Sequence, residues 1–273
     1  MLYRFLPHTL KCYSKKALPI DERKILPDVI VTLTTIPARI DKIWPTLNSI
    51  LLQSILPSKV YLWIPKSYKR FNGISIKKIP DFLINHPLIE VRFIDEDYGP
   101  ATKLLPCFKM PIPPDTKIIV IDDDCVYAPN VISKLNKYAE RNPNSAITFV
   151  GSDIISGVGK KYENSLRGKR VDILHGYGSY LVKPKFFSDD VFAYPENHPE
   201  FFFEDDAWIS GNLRKTQTKI LIPPNLWRCR VSSKQNKILS HKRTKSHALC
   251  KNENQDGINL IKSWLYFQAL KND

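Results

Sequence analysis

The chain has 273 residues, of which 43% are hydrophobic, and it carries a formal net charge of +14 at pH 7. This length and composition predict one globular catalytic domain. They exclude a membrane-spanning helix, because no apolar run approaches the ~18 residues that such a helix needs. The start of the chain also lacks the uninterrupted apolar core of a secretory signal.

The cysteine pattern argues for a reducing compartment. The five cysteines form no C-x-x-C pair, which disfavours a zinc site or a disulfide framework. The sequence contains no N-x-S/T glycosylation site with an allowed middle residue. We therefore expect a cytoplasmic protein, with peripheral contact to the cytoplasmic face of a membrane as a further option.

The excess positive charge predicts an anionic partner, for which nucleic acid, anionic lipid and phosphorylated substrates are all candidates. An AT-rich genome, which enriches Lys, Ile and Asn, explains the same charge without a partner. The basic residues concentrate at 11–24, 66–78 and 228–251, whereas the predicted strand ends are acidic. This placement favours an enzyme that binds a metal and a nucleotide, and we expect no nucleic-acid partner.

Strand and helix patterns alternate between residues 28 and 150. Apolar, largely β-branched runs predict strands at 29–33, 59–64, 89–94, 117–121 and 146–150. Apolar residues at helical spacing lie between them, at Ile43, Leu47, Ile50 and Leu51, and again at Ile132, Leu135, Tyr138 and Ala139. The alternation predicts an α/β fold with a mainly parallel central sheet that has helices on both faces.

The pattern changes after residue 150, where short strands are predicted at 171–174 and 179–182 and a helix at 204–215. Apolar spacing predicts a last helix within 256–270. Residues 1–24 combine Lys and Arg with apolar side chains, a composition that binds anionic membranes. We expect a basic arm over 1–27, one catalytic domain over 28–250 with a nucleotide-binding half (28–150) and an acceptor-binding half (151–250), and a C-terminal helix in 251–273.

The most informative motif is Asp122-Asp123-Asp124, directly after the fourth predicted strand. Ligands of open α/β sheets bind at the carboxyl ends of strands. Adjacent carboxylates repel each other unless a cation joins them, and Mg²⁺ or Mn²⁺ suits oxygen ligands and usually arrives with a phosphate group. A polar turn before a helix is the alternative explanation.

Two further polar segments follow predicted strands. Thr34 to Arg39, T-T-x-P-x-R in pattern, offers hydroxyls and a guanidinium to a nucleotide and its phosphates, although a helix-capping turn fits equally. In the segment from Asp95 to Lys103, Asp95 could accept hydrogen bonds from a base or ribose, and Lys103 could meet a phosphate. A solvated acidic loop is the alternative for this segment.

The acids Glu204-Asp205-Asp206 follow three phenylalanines and open a predicted helix. Acids at a helix N-terminus are favoured by the helix dipole, so capping explains them without chemistry. A carboxylate beside an apolar wall, however, has a raised pKa and can serve as a general base. Between the two acidic clusters lies His175-Gly176-Tyr177-Gly178, whose glycines let the backbone approach a ligand closely.

The ordered set T-T-x-P-x-R, D-x-x-x-G-P-A-T-K, D-D-D, G-x-G and E-D-D-x-W-I resembles GT-A fold glycosyltransferases. It is similar to the family-2-like enzymes that build surface polysaccharides in bacteria and large viruses, and the resemblance covers roughly residues 28–215. The resemblance implies transfer of a hexose or pentose from a nucleotide-diphosphate sugar to a hydroxyl of a glycan or lipid-linked acceptor, with Mn²⁺ or Mg²⁺ as cofactor.

The resemblance also implies a role for each motif. The donor-binding residues are Thr34, Thr35, Arg39, Asp95, Lys103, Asp122 and Asp123. The metal ligands are Asp124 and Asp122 with a late histidine, for which His247 is the choice and His241 the alternative. The residues beside the sugar and acceptor are His175, Gly176, Tyr177, Gly178 and Glu204. The catalytic pair is Asp205, as the base, and Asp206.

The chemistry is coherent without the family. A departing diphosphate must be neutralised, and an incoming hydroxyl needs a base within hydrogen-bond reach. One metal-binding cluster and one separate carboxylate fulfil both roles, which suggests single displacement with inversion at the anomeric carbon. The alternatives are a nucleotidyltransferase acting on sugar phosphates, which usually has a glycine-rich loop that 34–39 lacks, and a basic protein that binds nucleic acid or an anionic surface. P-loop kinases are excluded by the missing phosphate-loop motif.

Overall fold

The computed structural model describes residues 12, 25–84, 86–155, 158–163, 168–224 and 265–267. Within these ranges the strands are β1 (Ile25–Thr34), β2 (Leu56–Pro65), β3 (Ile89–Ile94), β4 (Lys117–Val120), β5 (Ser145–Thr148), β6 (Val150–Ile155), β7 (Val158–Glu163), β8 (Lys169–Val171), β9 (Ile173–Leu174), β10 (Tyr180–Val182) and β11 (Lys219–Ile222). The α-helices are α1 (Trp44–Leu51), α2 (Asp81–Ile84), α3 (Val131–Arg141) and α4 (Asp205–Lys215).

Eight strands form a central sheet in the order β3-β2-β1-β4-β10-β5-β11-β8. β1 pairs in parallel with β2 on one side and β4 on the other, so that Val31 lies between Val60 and Ile119. β10 is antiparallel to both of its neighbours, β4 and β5, and β8 is antiparallel to β11 at the edge. The remaining pairings are parallel. The expected α/β fold with a mainly parallel sheet is confirmed.

The sheet is covered on both faces, as the strand pattern predicts. Side chains of a strand alternate between faces, so Val29, Val31 and Leu33 of β1 join one apolar core, together with residues of α1 and α3. Ile30 of the same strand joins a second core on the opposite face, where Trp208 of α4 is buried. The helices therefore fix which strand ends remain open for a site.

A second sheet of three antiparallel strands, β7-β6-β9, follows β5 in the chain. Ser152 at the centre of β6 lies opposite Lys161 on β7 and Ile173 on β9. The chain leaves β9 at His175 and turns through a 3₁₀ segment, Gly176–Gly178, before it enters β10. This small sheet therefore brings the His175 turn to the central sheet.

Several predicted boundaries change in the structure. The predicted strand at 146–150 is two strands, β5 and β6, and the predicted strand at 171–174 divides into β8 and β9, which pair in different sheets. The side-chain pattern of a short segment carries no signal for such a division, because the division depends on which distant strands each part pairs with. The strands β7 and β11 were not predicted. In β7 the adjacent Lys160 and Lys161 break the alternation, whereas β11 has only three apolar residues after Lys219.

The two ends of the chain lie mostly outside the described residues. β1 begins at Ile25, inside the arm expected over 1–27. At the other end, residues 265–267 are helical, and Phe267 is 3% exposed. Its ring packs so closely on Gly211 of α4 that a Cβ there would lie 2.1 Å from the ring. Residues 265–267 therefore pack on the core through Phe267, and the rest of the helix expected in 251–273 lies outside the described residues. Within the part of the chain that is described, no helix is long and apolar enough to cross a bilayer.

Candidate active site

Four predicted motifs meet at one edge of the central sheet. The aspartates 122–124 follow β4, and Thr35 follows the adjacent parallel strand β1. Parallel neighbours end at the same edge, which is where ligands of such sheets bind. Lys103 reaches this edge from a 3₁₀ helix, Gly99–Lys103, and the first turn of α4 contributes Asp205 and Asp206.

Asp123 joins neighbouring segments of the site through hydrogen bonds within the protein. The Thr35 hydroxyl donates to its Oδ2 at 2.6 Å, and Arg39 donates to its Oδ1. The Thr46 hydroxyl donates to the backbone carbonyl of Asp123 at 2.8 Å. Tyr68 in turn donates to the carbonyl of Thr35 at 2.9 Å. Both carboxylate oxygens of Asp123 are thus occupied by protein donors, and the two predicted phosphate binders Thr35 and Arg39 hold this carboxylate in place.

Asp124 carries negative charge that its neighbours only partly offset. Its side chain is 36% exposed, and its Oδ2 lies 3.4 Å from Arg39 Nη1. Burial of the carboxyl group and the adjacent charges of Asp123 and Asp122 raise its pKa to about 6, against the opposing effect of Arg39. A carboxylate that is only partly exposed and has excess negative charge around it is a favourable place for a cation.

Lys103 joins the two acidic clusters. Its Nζ lies 2.9 Å from Asp122 Oδ1 and 2.9 Å from Asp205 Oδ2, and its side chain is 8% exposed. Burial alone would lower its pKa, but Asp122 and Asp205 raise it well above the usual value, so the ammonium stays charged. The Thr32 hydroxyl donates to the Lys103 carbonyl at 2.6 Å and fixes the backbone of this residue.

Gly176 provides the space for that ammonium group. A Cβ at this position would lie 2.5 Å from Lys103 Nζ, 3.2 Å from Asp206 Oδ1 and 3.3 Å from Asp122 Oδ1. Real Cβ atoms do not approach so closely, so a larger residue would displace the lysine. The glycine predicted from its motif to allow close approach does so here, toward the protein's own ion pairs.

Asp205 and Asp206 are adjacent carboxylates in different environments. Burial raises the pKa of Asp205 to about 6, with the charge of Lys103 opposing and that of Asp206 adding to the rise. Burial acts in the same direction on Asp206, but its contacts outweigh it and lower its pKa. Those contacts are the His175 ring, 3.1 Å from Oδ2, and the Gly176 N–H, which donates to Oδ1 at 2.9 Å. Such divergent pairs separate an acid–base group from a permanently charged one.

The carboxylates of the site could supply some, but not all, of the ligands of a hard divalent cation. Five carboxylates, those of Asp122, Asp123, Asp124, Asp205 and Asp206, meet two permanent cations, Arg39 and Lys103, which leaves an excess of negative charge. Among the described residues, no group of three or more His, Cys, Asp or Glu side chains converges on one point. Mg²⁺ usually takes only one or two carboxylates and completes its shell with phosphate and water, so Asp122 and Asp124 suit a metal that arrives with a diphosphate. His241 and His247 lie outside the described residues.

Some predicted residues lie apart from this cluster. Asp95 forms an exposed ion pair with Lys66, and its side chain is 87% exposed. The Thr34 hydroxyl donates to the Trp63 carbonyl at 2.8 Å on the neighbouring strand. Glu204 precedes α4 and accepts the Trp208 N–H through its backbone carbonyl. The structure therefore shows local contacts for Asp95 and Thr34, and their roles in binding a donor stay predictions.

The remaining predicted residues line the turn after β9. The Tyr177 ring lies 5.7 Å from that of His175, and the ammonium of Lys161 lies 4.3 Å from the Tyr177 ring centroid. Gly178 packs against Val150, where a Cβ would lie 2.5 Å from a methyl group. Ser179 ends the turn with φ of 69°, a strained value for a residue with a side chain.

Two site residues were missed from the sequence. The Tyr127 hydroxyl accepts the backbone N–H of Asp122 at 2.9 Å, and its place shortly after D-D-D is the one available signal. The Ser152 hydroxyl lies 2.7 Å from His175 Nε2. Nothing in the linear sequence marks Ser152, because it lies within a strand and reaches His175 only through the pairing of β6 with β9.

The mainly parallel central sheet with helices on both faces is a Rossmann-like α/β architecture and is consistent with the GT-A fold. The solved structures include a similar one, the crystal structure of GalNAc-T7 with UDP, GalNAc and Mn²⁺. The TM-score is 0.51 at 11% sequence identity, and the match covers 87% of this chain and 55% of the GalNAc-T7 chain. The present chain therefore spans about half the length of the GalNAc-T7 chain. No family model and no curated protein sequence matches the chain.

Proposed function

We propose that the protein is a divalent-metal-dependent glycosyltransferase that moves a sugar from a nucleoside-diphosphate sugar to a hydroxyl acceptor. The observation that carries this proposal is the Lys103 bridge, 2.9 Å to Asp122 and 2.9 Å to Asp205, which brings the aspartate cluster and the helix carboxylates into one site. The GT-A fold, shared with a structure that contains UDP, GalNAc and Mn²⁺, supports the same class of donor.

Asp122 and Asp124 would hold Mn²⁺ or Mg²⁺ together with the donor diphosphate. The metal, when bound, supplies a Lewis acid that neutralises charge on the leaving diphosphate. Arg39 and Lys103 add positive charge on the same side, and Asp123 keeps Arg39 in position. These residues bind and orient the donor.

Asp205 is the proposed base. With a pKa of about 6 it is ionised at pH 7 yet still basic enough to take a proton. The acceptor oxygen forms a bond to the anomeric carbon as the bond from that carbon to the diphosphate oxygen breaks, and the hydroxyl proton passes to Asp205. In this single displacement the acceptor oxygen approaches from the face opposite the departing diphosphate, so the configuration at the anomeric carbon inverts.

In this proposal the acceptor binds to residues in the second half of the chain. His175, Gly176 and Tyr177 lie beside Asp206 and would contact the transferred sugar or the acceptor. A glycan or a lipid-linked sugar is the acceptor class that the resemblance to family-2-like polysaccharide enzymes suggests. The cytoplasmic location and a peripheral membrane contact remain part of the same proposal.

The test is a panel of nucleotide sugars incubated with the full chain and Mn²⁺, with nucleoside diphosphate and pyrophosphate measured separately. We expect release of nucleoside diphosphate that excess chelator abolishes. Asp124→Ala should lose the activity, whereas Asp115→Asn, at an exposed carboxylate paired with Lys183 and Lys185, serves as the control. Release of pyrophosphate would indicate a nucleotidyltransferase, and full activity in chelator would rule out the metal.

A further inference from the structure

Three side chains from three separate elements form one hydrogen-bonded chain at the edge of the site. The Ser152 hydroxyl of β6 lies 2.7 Å from His175 Nε2, and His175 Nδ1 lies 3.1 Å from Asp206 Oδ2. The other oxygen of Asp206 accepts the Gly176 N–H at 2.9 Å. The chain ends beside Lys103, whose Nζ would lie 2.5 Å from a Cβ on Gly176.

The proton positions in this chain follow from its partners. Asp206 already accepts the Gly176 N–H at Oδ1, and an ionised carboxylate only accepts hydrogen bonds. His175 Nδ1 must therefore carry the hydrogen that points to Asp206. In the neutral imidazole, Nε2 is then an acceptor, and the Ser152 hydroxyl is the donor that satisfies it.

The location of Ser152 supports a role for its hydroxyl as the donor to His175 Nε2. The residue is 3% exposed at the centre of a strand, where an apolar side chain would be the favourable choice. A buried hydroxyl without a partner costs about 1–3 kcal/mol, and here His175 supplies a partner at 2.7 Å. The backbone carbonyl of Ser152 accepts the Asp172 N–H at 3.0 Å, which fixes the strand next to β9.

We infer that Ser152 is a positioning residue that holds the His175 ring in the orientation and tautomer that donates Nδ1–H to Asp206. Through this chain Ser152 fixes the Asp206 carboxylate next to the proposed base, Asp205. The catalytic consequence rests on the proposed function, whereas the tautomer does not.

The decisive measurement is the ¹⁵N spectrum of the histidine rings in the full chain at constant pH, with the His175 signals assigned by their loss in His175→Gln. We expect the Nδ1–H tautomer in the natural protein. Ser152→Ala should lose the single tautomer, and Ser152→Thr, which keeps a hydroxyl, should restore it. If the alanine variant does not fold, Ser152→Cys replaces it, because a thiol is of similar size and a weak donor.

Ser210→Ala is the matched control, since it removes a buried hydroxyl that contacts only backbone groups near the site. This hydroxyl donates to the Asp206 carbonyl at 2.6 Å and accepts the Leu174 N–H at 3.0 Å, without touching the His175 ring. It should leave the His175 spectrum unchanged. With an active donor from the nucleotide-sugar panel, Ser152→Ala should lower kcat roughly tenfold while the donor KM is kept. An Nε2–H tautomer in the natural protein, or an unchanged tautomer in Ser152→Ala, would overturn the inference. If the spectra behave as expected but no donor is turned over, the proposed function fails and the positioning role stands.

Discussion

The ammonium group of Lys103 lies 2.9 Å from Asp205 Oδ2, although the two residues are about a hundred positions apart in the chain. Both side chains are nearly buried, at 8% and 11% exposure, so the charges interact where water screens them little. Together with the ion pair from Lys103 to Asp122, it links the aspartates after β4 to the aspartates at the start of α4. Several expectations depend on it.

Removal of the lysine charge should destabilise the fold most at neutral pH. Breaking a buried ion pair from one side costs about 3–5 kcal/mol, and we expect a loss of this order in the free energy of unfolding of Lys103→Met. Without the cation the pKa of Asp205 rises further above its ordinary value. The penalty therefore grows as pH rises above about 6, the pKa of Asp205 in the natural protein, and levels off above the higher pKa of the variant. It shrinks toward pH 5, where this carboxyl is protonated in both proteins.

Denaturant unfolding of Lys103→Met at pH 5 and pH 7.5 measures this effect. Lys66→Met is the matched control, because Lys66 pairs with Asp95 at 60% and 87% side-chain exposure. Exposed pairs contribute about 0–1 kcal/mol, so the control should change little at either pH. Equal losses in both variants would contradict the interpretation of Lys103 as a buried bridge.

The adjacent carboxylates Asp205 and Asp206 should differ in function. Asp205→Asn keeps the size of the side chain but removes the proposed base, and such a loss commonly costs about 10²–10⁴-fold in rate. Donor binding should survive, because Asp122 and Asp124 are untouched. Transfer rates and donor affinities of both Asn variants, with NMR of the anomeric centre of the product, decide the matter. A near-normal rate for Asp205→Asn with an inactive Asp206→Asn would move the base by one residue, and retention of configuration would refute single displacement.

Divalent-metal affinity should weaken in acid. The pKa of Asp124 is about 6, so a proton competes with the metal below that pH and is released when the metal binds above it. We expect the Mn²⁺ affinity of the chain to fall by roughly tenfold per pH unit below pH 6, one proton being displaced. Calorimetry between pH 5 and 7.5 measures both the affinity and the proton release. A flat profile, or an unchanged affinity in Asp124→Asn, would exclude Asp124 as a ligand.

Gly176→Ala should disturb the site through Lys103. The added Cβ would lie 2.5 Å from Lys103 Nζ, so the ammonium must leave its position between Asp122 and Asp205. We expect a loss of stability and of transfer activity. A double-mutant cycle with Lys103→Ala isolates the contact. The cost of Gly176→Ala should be much smaller when the lysine side chain is absent, and an unchanged cost would assign it to the backbone of the turn.

The basic arm gives a separate expectation about location. Residues 1–24 lie mostly outside the described residues, and their mixture of basic and apolar side chains predicts binding to anionic membranes. Sedimentation with anionic vesicles at low salt should retain the full chain and not a variant that lacks residues 1–24. Neutral vesicles are the control. Equal recovery of both proteins in the supernatant would end the anchoring hypothesis.

The sequence by itself determined the fold class. The strand at 59–64 is a nearly continuous apolar run, and the strand at 89–94 alternates apolar residues with Glu90 and Arg92. The intervening helical faces require a sheet covered on both sides. The similarity in fold to a solved GT-A structure confirms this conclusion. The motifs also indicated most of the candidate site, because residues that follow parallel strands must meet at one edge of the sheet.

The tertiary structure decided which of those residues face each other. Asp95 and Lys103 belong to one motif, yet Asp95 pairs with Lys66 at the surface while Lys103 is buried between two acidic segments. Ser152 has no motif at all and meets His175 only because β6 pairs with β9. Contacts of this kind depend on strand pairing between distant parts of the chain, so the local sequence does not predict them.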